Sequence, residues 1–270
     1  MKSLFLKRYL KLKPDFSIEN CYVKNSLRVN TIKISHSELL KRFDKEGIKI
    51  EKVNFLEDGY YYESDFSLAS TPEYLLGYYY IQESASQAVT EFLNPQENES
   101  ILDMCSAPGS KTTHIAQKMN NTGLIVALDN KEWRLNALQN NLERLGVTNT
   151  ILYNKDARYV SDLEIEFDKV LLDAPCSGNF LLEEDWFDKR TLEDVKNNAK
   201  IQRELLKAGL SVLKKNGTIL YSTCSMEIEE NEDIIEWAKK ELNVEVLKLK
   251  RFWPDEEKTQ GFFISVLKKL

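Results

Sequence analysis

The chain has 270 residues and a net charge of -6 at pH 7, with 42% hydrophobic and 30% charged residues. This composition is typical of a globular protein large enough for one large and one smaller domain. Lys7 and Arg8 interrupt the first apolar segment, and no apolar run approaches the roughly 18 residues of a membrane span. We therefore expect a cytoplasmic protein without a signal peptide or a membrane segment.

The first part of the chain, residues 1–75, mixes short helical and strand patterns. Residues 27–32 alternate as a half-buried strand, and residues 35–47 have the apolar spacing of a helix. We expect a small α+β domain here. A bridging segment then leads into a second domain over residues 76–270.

From residue 100 onward, strand and helix patterns alternate. Strands are predicted at 101–105, 124–129, 150–154, 169–174, 218–223, 244–249 and 262–266. Helices are predicted at 111–119, 131–145, 191–213 and 228–242. The last two strands are too close for a crossover helix, so the final strand should be antiparallel. This pattern predicts an α/β fold, the seven-stranded Rossmann-like sheet of class I S-adenosylmethionine-dependent methyltransferases.

The turn after the first of these strands carries one glycine, Gly109, preceded by Pro108. It therefore matches neither the three-glycine dinucleotide fingerprint nor the phosphate-binding loop of nucleotide hydrolases. A turn that need not hold phosphates suits a sulfonium amino acid, whose carboxylate can meet amides at a helix N-terminus.

Acidic residues stand at three successive strand ends, Asp103, Asp129 and Asp156. Asp129 occupies the position from which an acid binds ribose hydroxyls in nucleotide-binding sheets. Asp156 is placed to accept a hydrogen bond from an adenine amino group. The three acids together favour a nucleoside-containing cofactor.

The chain has four cysteines, Cys21, Cys105, Cys176 and Cys224. Three lie in strand-to-turn segments and no C-x-x-C pair exists, so we expect reduced thiols and no metal site. Cys176 and Cys224 each follow a buried strand, and the carboxyl ends of parallel strands share one crevice. The turn 103–111, in which Gly109 lies, is called the cofactor turn below. Two thiols beside this turn point to methyl transfer to carbon 5 of a pyrimidine. This reaction needs a thiolate to add to carbon 6 first.

Three motifs carry a resemblance to a known family: 103–112 (DMCSAPGSKT), 173–178 (DAPCSG) and 222–225 (STCS). They resemble the signature set of the RNA cytosine-5 methyltransferases of the RsmB/Nop/Sun family. The segments 27–31, 80–83, 251–254 and 260–263 resemble its flanking motifs. The match covers nearly the whole chain, and the size resembles the compact archaeal members that act on tRNA.

The resemblance implies S-adenosyl-L-methionine as cofactor and RNA as substrate, tRNA being favoured over rRNA. It implies that Cys224 is the nucleophile and that Cys176 assists release, with Asp173 and Lys111 completing the catalytic set. The implied cofactor contacts are Cys105, Ser106, Ala107, Pro108, Gly109, Ser110, Lys111, Asp129, Arg134, Asp156 and Asp173. Residues 1–75 are then an RNA-binding domain, residues 76–270 the methyltransferase domain, and we expect a monomer.

Two residues depart from the family pattern. Ser106 replaces the usual alanine, and Asp255 replaces a histidine that many relatives carry.

Two rival functions stay open. A DNA cytosine-5 methyltransferase resembles the chain in its Pro-Cys motif but lacks the Thr-Cys-Ser strand end. A catalytically silent RNA-binding protein has no chemical reason to keep Cys176, Cys224 and Asp173.

Charge is unevenly distributed along the chain. Basic residues cluster near both ends, at Lys2, Lys7, Arg8, Lys11, Lys13, Lys248, Lys250 and Arg251. An acidic run lies between the two clusters, over 227–233. If the basic clusters meet in space, they could follow RNA phosphates.

Overall fold

The structure is a computed structural model that describes residues 2–270. The helices are α1 (Lys2–Leu12), α2 (His36–Lys45), α3 (Pro72–Leu75), α4 (Ser84–Leu93), α5 (Ser110–Lys118), α6 (Glu132–Leu145), α7 (Trp186–Lys189), α8 (Leu192–Ser211), α9 (Glu232–Glu241) and α10 (Pro254–Glu257). The strands are β1 (Ser26–Val29), β2 (Lys49–Lys52), β3 (Gly59–Glu63), β4 (Tyr79–Ile81), β5 (Ser100–Asp103), β6 (Leu124–Asp129), β7 (Thr150–Asn154), β8 (Phe167–Asp173), β9 (Leu213–Thr223), β10 (Val244–Phe252) and β11 (Phe262–Lys269). Within residues 2–270, no helix is both long and apolar enough to cross a bilayer.

The four N-terminal strands form an antiparallel sheet in the order β2-β3-β1-β4. Helix α2 covers it and buries Leu39 and Phe43 in a cluster with Leu27. Strand β4 lies beyond residue 75, so the small sheet extends past the predicted domain boundary. The division of the chain at that residue stays a prediction.

The remaining seven strands form one sheet in the order β10-β11-β9-β8-β5-β6-β7. Strand β11 is antiparallel to both of its neighbours, and the other pairings are parallel. Successive residues such as Val170 and Leu171 belong to different core clusters, because side chains alternate across a strand and helices cover both faces. The predicted Rossmann-like methyltransferase sheet with its antiparallel last strand is confirmed.

The predicted helix over 228–242 is interrupted. A short 3-10 turn over Ile228–Glu230 precedes α9, and Asn231 between them has φ -123° and ψ -98°. The Asn231 side chain accepts a hydrogen bond from Thr223 Oγ1 at 2.6 Å and donates one to the carbonyl of Ser225 at 2.8 Å. These contacts with the end of β9 override the helical pattern of the local sequence.

Helix α1 packs against the large domain and away from the small sheet. The Phe5 ring lies 4.7 Å from the Trp186 ring, and Tyr9 donates a hydrogen bond of 2.8 Å to Glu227. The first residues of the chain therefore contribute to the surroundings of the loop that follows β9.

Candidate active site

A cavity of about 490 Å³ opens at the carboxyl ends of β5, β6, β8 and β9. Its volume falls in the range that holds small ligands. Its lining comprises Met104, Cys105, Ala107, Asp129, Asn130, Lys131, Arg134, Asp156, Ala157, Arg158, Asp173, Ala174, Pro175, Cys176, Ile201, Leu205 and Cys224. Both motif cysteines thus border the same space as the cofactor turn.

Cys176 and Cys224 are neighbours although they lie far apart in the sequence. Strands β8 and β9 pair in parallel, with Asp173 opposite Ser222, so the loops that follow them start side by side. The two sulfur atoms lie 3.1 Å apart, and both thiols are free. The prediction that they face one crevice is confirmed. The hydrogen bond to Cys224 and burial together raise the pKa of the Cys176 thiol well above its ordinary value.

Asp173 is held at the end of β8 by two donors. Lys111 Nζ lies 2.8 Å from Oδ2, and the Ser222 hydroxyl donates to Oδ1 at 2.8 Å. Burial alone would lower the pKa of Lys111, but Asp173 outweighs it and the pKa is raised. Lys111 therefore stays protonated in its ion pair with Asp173, and Cys224 is among the groups that act on Lys111 electrostatically.

Two polar residues that the sequence did not reveal support the cysteine loops. The Asn179 amide donates hydrogen bonds to the carbonyls of Cys224, at 2.6 Å, and Gln260, at 2.8 Å. Buried Glu230 accepts hydrogen bonds from Ser177 N at 3.0 Å and from Gln202 at 3.0 Å. Burial raises the pKa of Glu230. In the sequence, Glu230 is distinguished only as a member of the acidic run over 227–233.

The cofactor turn begins α5, and Gly109 has φ +105°, a left-handed conformation that favours glycine. A Cβ atom there would lie 2.7 Å from Leu138 Cδ1. Of the predicted cofactor residues, Cys105, Ala107, Asp129, Arg134, Asp156 and Asp173 line the cavity, whereas Ser106, Pro108, Gly109, Ser110 and Lys111 do not. The Ser106 hydroxyl donates to the carbonyl of Leu128 at 2.8 Å, so the departure from alanine fits the turn.

Asp129 is among the residues that line the cavity, and its side chain is buried. Its Oδ1 accepts a hydrogen bond from Lys131 N at 3.0 Å. Its Oδ2 forms an ion pair with Arg134, whose nearest nitrogen lies 3.1 Å away. Arg158 engages the Asp156 carboxylate and lowers its pKa.

Arg28 is a further residue whose role sequence reasoning missed. It lies on β1 of the small sheet and is fully buried. Its guanidinium donates hydrogen bonds to Ser110 O at 2.8 Å, Thr113 Oγ1 at 2.9 Å and Gln82 Oε1 at 3.0 Å. Burial lowers the pKa of Arg28 to about 9. Arg28 thus connects the small sheet to the first turn of α5.

Asp103 lies at the end of β5 beneath the cofactor turn. The Thr112 hydroxyl donates to its Oδ2 at 2.7 Å, and its Oδ1 is buried without a hydrogen-bond partner. Burial raises the pKa of Asp103 to about 7. This carboxyl therefore titrates near neutral pH, whereas an ordinary aspartate is ionised there.

Four of the eight basic residues named near the chain ends form ion pairs within the protein. Arg8 pairs with Glu227 at 2.9 Å, Lys13 with Asp255 at 2.7 Å, Arg251 with Glu232 at 2.9 Å, and Lys250 with Glu257. The charge of these four side chains is therefore partly balanced within the protein, and the phosphate track stays a prediction. Asp255, the departure from the family histidine, is the partner of Lys13.

One cluster brings together side chains at metal-ligand spacing. Ligand atoms of Asp58, Glu91 and His114 all lie within 4.8 Å of one another. The Lys118 ammonium lies 3.1 Å from Asp58 and 3.3 Å from Glu91. Lys118 therefore supplies the positive charge that these carboxylates need.

Comparisons with known proteins match both parts of the chain. The sequence model of the family described as 16S rRNA methyltransferase RsmB/F matches residues 90–268. A second model, the N-terminal domain of 16S rRNA methyltransferase RsmF, matches residues 5–84.

Two curated relatives illustrate the similarity. The 28S rRNA (cytosine-C(5))-methyltransferase of Mus musculus is 36% identical over 276 residues, covering 90% of this chain and 35% of that protein. The tRNA (cytosine(72)-C(5))-methyltransferase of Pyrococcus horikoshii is 38% identical over 217 residues, covering 76% of this chain and 56% of that protein. The chain therefore spans from 35% to 56% of the length of these curated relatives.

Solved structures agree with this similarity. A methyltransferase homolog protein from Pyrococcus horikoshii matches with a TM-score of 0.91 at 39% identity, over 99% of this chain and 95% of that chain. NSun6 from Pyrococcus horikoshii, solved with SFG, matches with a TM-score of 0.86 at 27% identity, over 93% of this chain and 92% of that chain.

Proposed function

The chain belongs to the 16S rRNA methyltransferase RsmB/F family, and on this premise we propose that it methylates carbon 5 of a cytosine in RNA with S-adenosylmethionine as the methyl donor. The observation that carries the proposal is the pair of thiols, Cys176 and Cys224, whose sulfur atoms lie 3.1 Å apart at the edge of the cavity. The names of the two curated relatives support cytosine carbon 5 as the target.

We place tRNA before rRNA as the substrate. Support comes from the Pyrococcus horikoshii relative, whose name specifies tRNA. The mouse relative is named for 28S rRNA, so both RNA classes belong in the test. In this proposal, residues 1–75 form an RNA-binding domain and residues 76–270 the methyltransferase domain.

Cys224 acts as the nucleophile. Carbon 5 of cytosine is a weak nucleophile, so the Cys224 thiolate first adds to carbon 6 and makes an enamine that is able to attack an electrophilic methyl group. Cys224 directly follows β9, where the Asn179 hydrogen bond to its carbonyl holds its backbone. When bound, S-adenosylmethionine supplies the methyl group as a sulfonium.

Asp173 binds the polar edge of the cytosine. Its carboxylate accepts a hydrogen bond from the exocyclic amino group or from a protonated ring nitrogen, and so stabilises the charge that develops on addition. Lys111 and Ser222 hold the carboxylate in place through contacts with its two oxygens. The raised pKa of Lys111 keeps the ammonium charged beside the Asp173 carboxylate.

Cys176 acts in the release step. After methyl transfer, the proton on carbon 5 leaves to a water molecule, the bond between carbon 6 and the Cys224 sulfur breaks, and its electron pair returns to the sulfur. The raised pKa of Cys176 means that this thiol keeps its proton at neutral pH. It can therefore donate a hydrogen bond to the departing Cys224 thiolate.

The residues around the cavity fit S-adenosylmethionine. Asp129 ends β6 at the position from which an acid binds ribose hydroxyls in nucleotide-binding sheets, and Asp156, which also lines the cavity, is the proposed partner of the adenine. The structure of NSun6 with SFG, an analogue of S-adenosylmethionine, supports this choice of cofactor.

The experiment is methyl transfer to tRNA and rRNA transcripts, followed by bisulfite sequencing to locate 5-methylcytosine. We expect methylation of a defined tRNA cytosine by the unaltered protein and none by Cys224→Ala. Methylation of rRNA alone would overturn the tRNA preference. A folded protein that methylates neither RNA would overturn the proposed activity.

A further inference from the structure

The segment 21–25 runs beside the turn 258–260, close to the proposed nucleophile. Lys24 N donates a hydrogen bond of 3.0 Å to the carbonyl of Lys258. Two residues after Lys258, the carbonyl of Gln260 accepts a hydrogen bond of 2.8 Å from the Asn179 amide, which also donates one of 2.6 Å to the carbonyl of Cys224. Two residues of extended chain span at most about 7 Å, so the turn 258–260 forms a rim beside the loop that carries Cys224.

This rim presents one aromatic ring and one ammonium to solvent. Tyr22 is 50% exposed, and Lys258 Nζ lies 5.8 Å from the centre of its ring. No carboxylate oxygen in residues 2–270 lies within 4.0 Å of Lys258 Nζ, whereas the neighbouring Lys24 pairs with Glu51. The positive charge of Lys258 is therefore available to a ligand.

The backbone at Lys258 adds a second observation. Lys258 follows α10 with φ +58°, in the left-handed region that favours glycine or asparagine. Asparagine or glycine adopts this conformation at a lower free-energy cost than lysine, so Lys258→Asn leaves the backbone unstrained.

We propose that Tyr22 and Lys258 hold a nucleotide next to the target cytosine in a single-stranded stretch of RNA. The base of this nucleotide stacks on the Tyr22 ring, and its phosphate contacts the Lys258 ammonium. This inference rests on the proposed function, because it requires a cytosine at Cys224. A target base must leave the helical stack before a thiol can reach carbon 6, and aromatic rings with nearby cations are the usual means of holding the flanking strand.

The test measures binding of an oligoribonucleotide of about ten nucleotides with one central cytosine, single-stranded or annealed to its complement, by fluorescence anisotropy. We expect the unaltered protein to bind the single strand more tightly than the duplex. Tyr22→Ala should weaken single-strand binding by about 5- to 150-fold, the loss in affinity that corresponds to removing one base–aromatic stack. Tyr22→Phe keeps the ring and should bind as the unaltered protein does.

Lys258→Asn tests the phosphate contact without straining the backbone, since asparagine tolerates a left-handed φ. Loss of one phosphate contact should reduce the slope of log Kd against log salt by about 0.7.

The matched control for Tyr22→Ala is Tyr153→Ala, which removes a tyrosine that is 39% exposed from the edge strand β7 at the far side of the sheet. It should leave binding unchanged.

The inference would be overturned if Tyr22→Ala bound like the unaltered protein, if Tyr22→Phe or Tyr153→Ala lost as much affinity, or if the salt slope of Lys258→Asn did not change. Failure of the proposed function is recognised separately, because it appears as absence of 5-methylcytosine after reaction of the unaltered protein. A preference for duplex over single strand would also count against the inference.

Discussion

The guanidinium of Arg28 donates a hydrogen bond of 2.8 Å to the carbonyl of Ser110, although one residue lies in the small sheet and the other begins α5 of the large domain. Arg28 is fully buried and its remaining bonds also go to neutral acceptors. Its charge is thus compensated by carbonyl and hydroxyl dipoles. Lys111, the partner of Asp173, follows Ser110 directly, so this contact joins the small sheet to the proposed catalytic centre.

Arg28→Met should destabilise the protein by about 3 kcal/mol, because it removes three hydrogen bonds of a buried charged donor and leaves Gln82 Oε1 without a donor. Urea unfolding measures the loss. Arg42→Met is the control, since Arg42 forms an exposed pair with Glu38 and its loss should barely move the midpoint. Equal midpoints for the two variants would contradict the assignment.

The two cysteines should fail at different steps. Cys224→Ala should form no covalent RNA adduct and transfer no methyl group, because the addition to carbon 6 cannot occur. Cys176→Ala should still add and methylate but release slowly, so a protein-RNA adduct that survives denaturation accumulates on a gel. Cys21→Ala, outside the cavity, should behave as the unaltered protein. The reverse pattern would exchange the two roles and favour the DNA-type arrangement.

Asp129→Asn should weaken binding of S-adenosylmethionine by roughly 10- to 150-fold, because a hydrogen bond to a charged group contributes about 1.5–3 kcal/mol. Titration calorimetry on the folded variant provides the measurement. Asp162→Asn is a suitable control, because Asp162 is an exposed partner of Lys155. Unchanged affinity in Asp129→Asn would remove Asp129 from the cofactor site.

Asp103 should make stability fall as pH rises from about 4 to about 7. Burial raises its pKa in the folded state from 3.8 to about 7, so over this interval the folded protein binds a proton that the unfolded chain has lost. Asp103→Asn removes this titration. Its melting temperature relative to the unaltered protein should therefore be higher at pH 8 than at pH 5, and an equal difference at both values would refute the prediction.

Gly109→Ala should destabilise the protein more than Gly47→Ala. Both glycines have a positive φ, +105° and +70°, so both substitutions strain the backbone. Only at Gly109 would the new Cβ meet a buried side chain, Leu138, since nothing lies within 4 Å of the corresponding position at Gly47. Thermal unfolding compares the two, and Gly109→Ala should also lose cofactor affinity. Equal losses of stability would show that the contact with Leu138 is unimportant.

The architecture of the large domain could be predicted from the sequence because it rests on local patterns. Apolar runs bounded by turns marked the seven strands, and the helix predicted from residue 191 begins there with a capping box of Thr191 and Asp194. The short gap before β11 required an antiparallel strand. The adjacency of the Cys176 and Cys224 loops also followed, because parallel strands place their carboxyl ends at one edge.

Only the tertiary structure decided which charged and polar groups meet. The basic residues Arg8 and Lys13 looked free for RNA in the sequence, yet they pair with acids more than two hundred residues away. The partners of Arg28 and the break at Asn231 likewise depend on packing between distant elements. Periodicity records which face of an element is buried, but a hydrogen bond or ion pair depends on the positions of two side chains that the fold brings together.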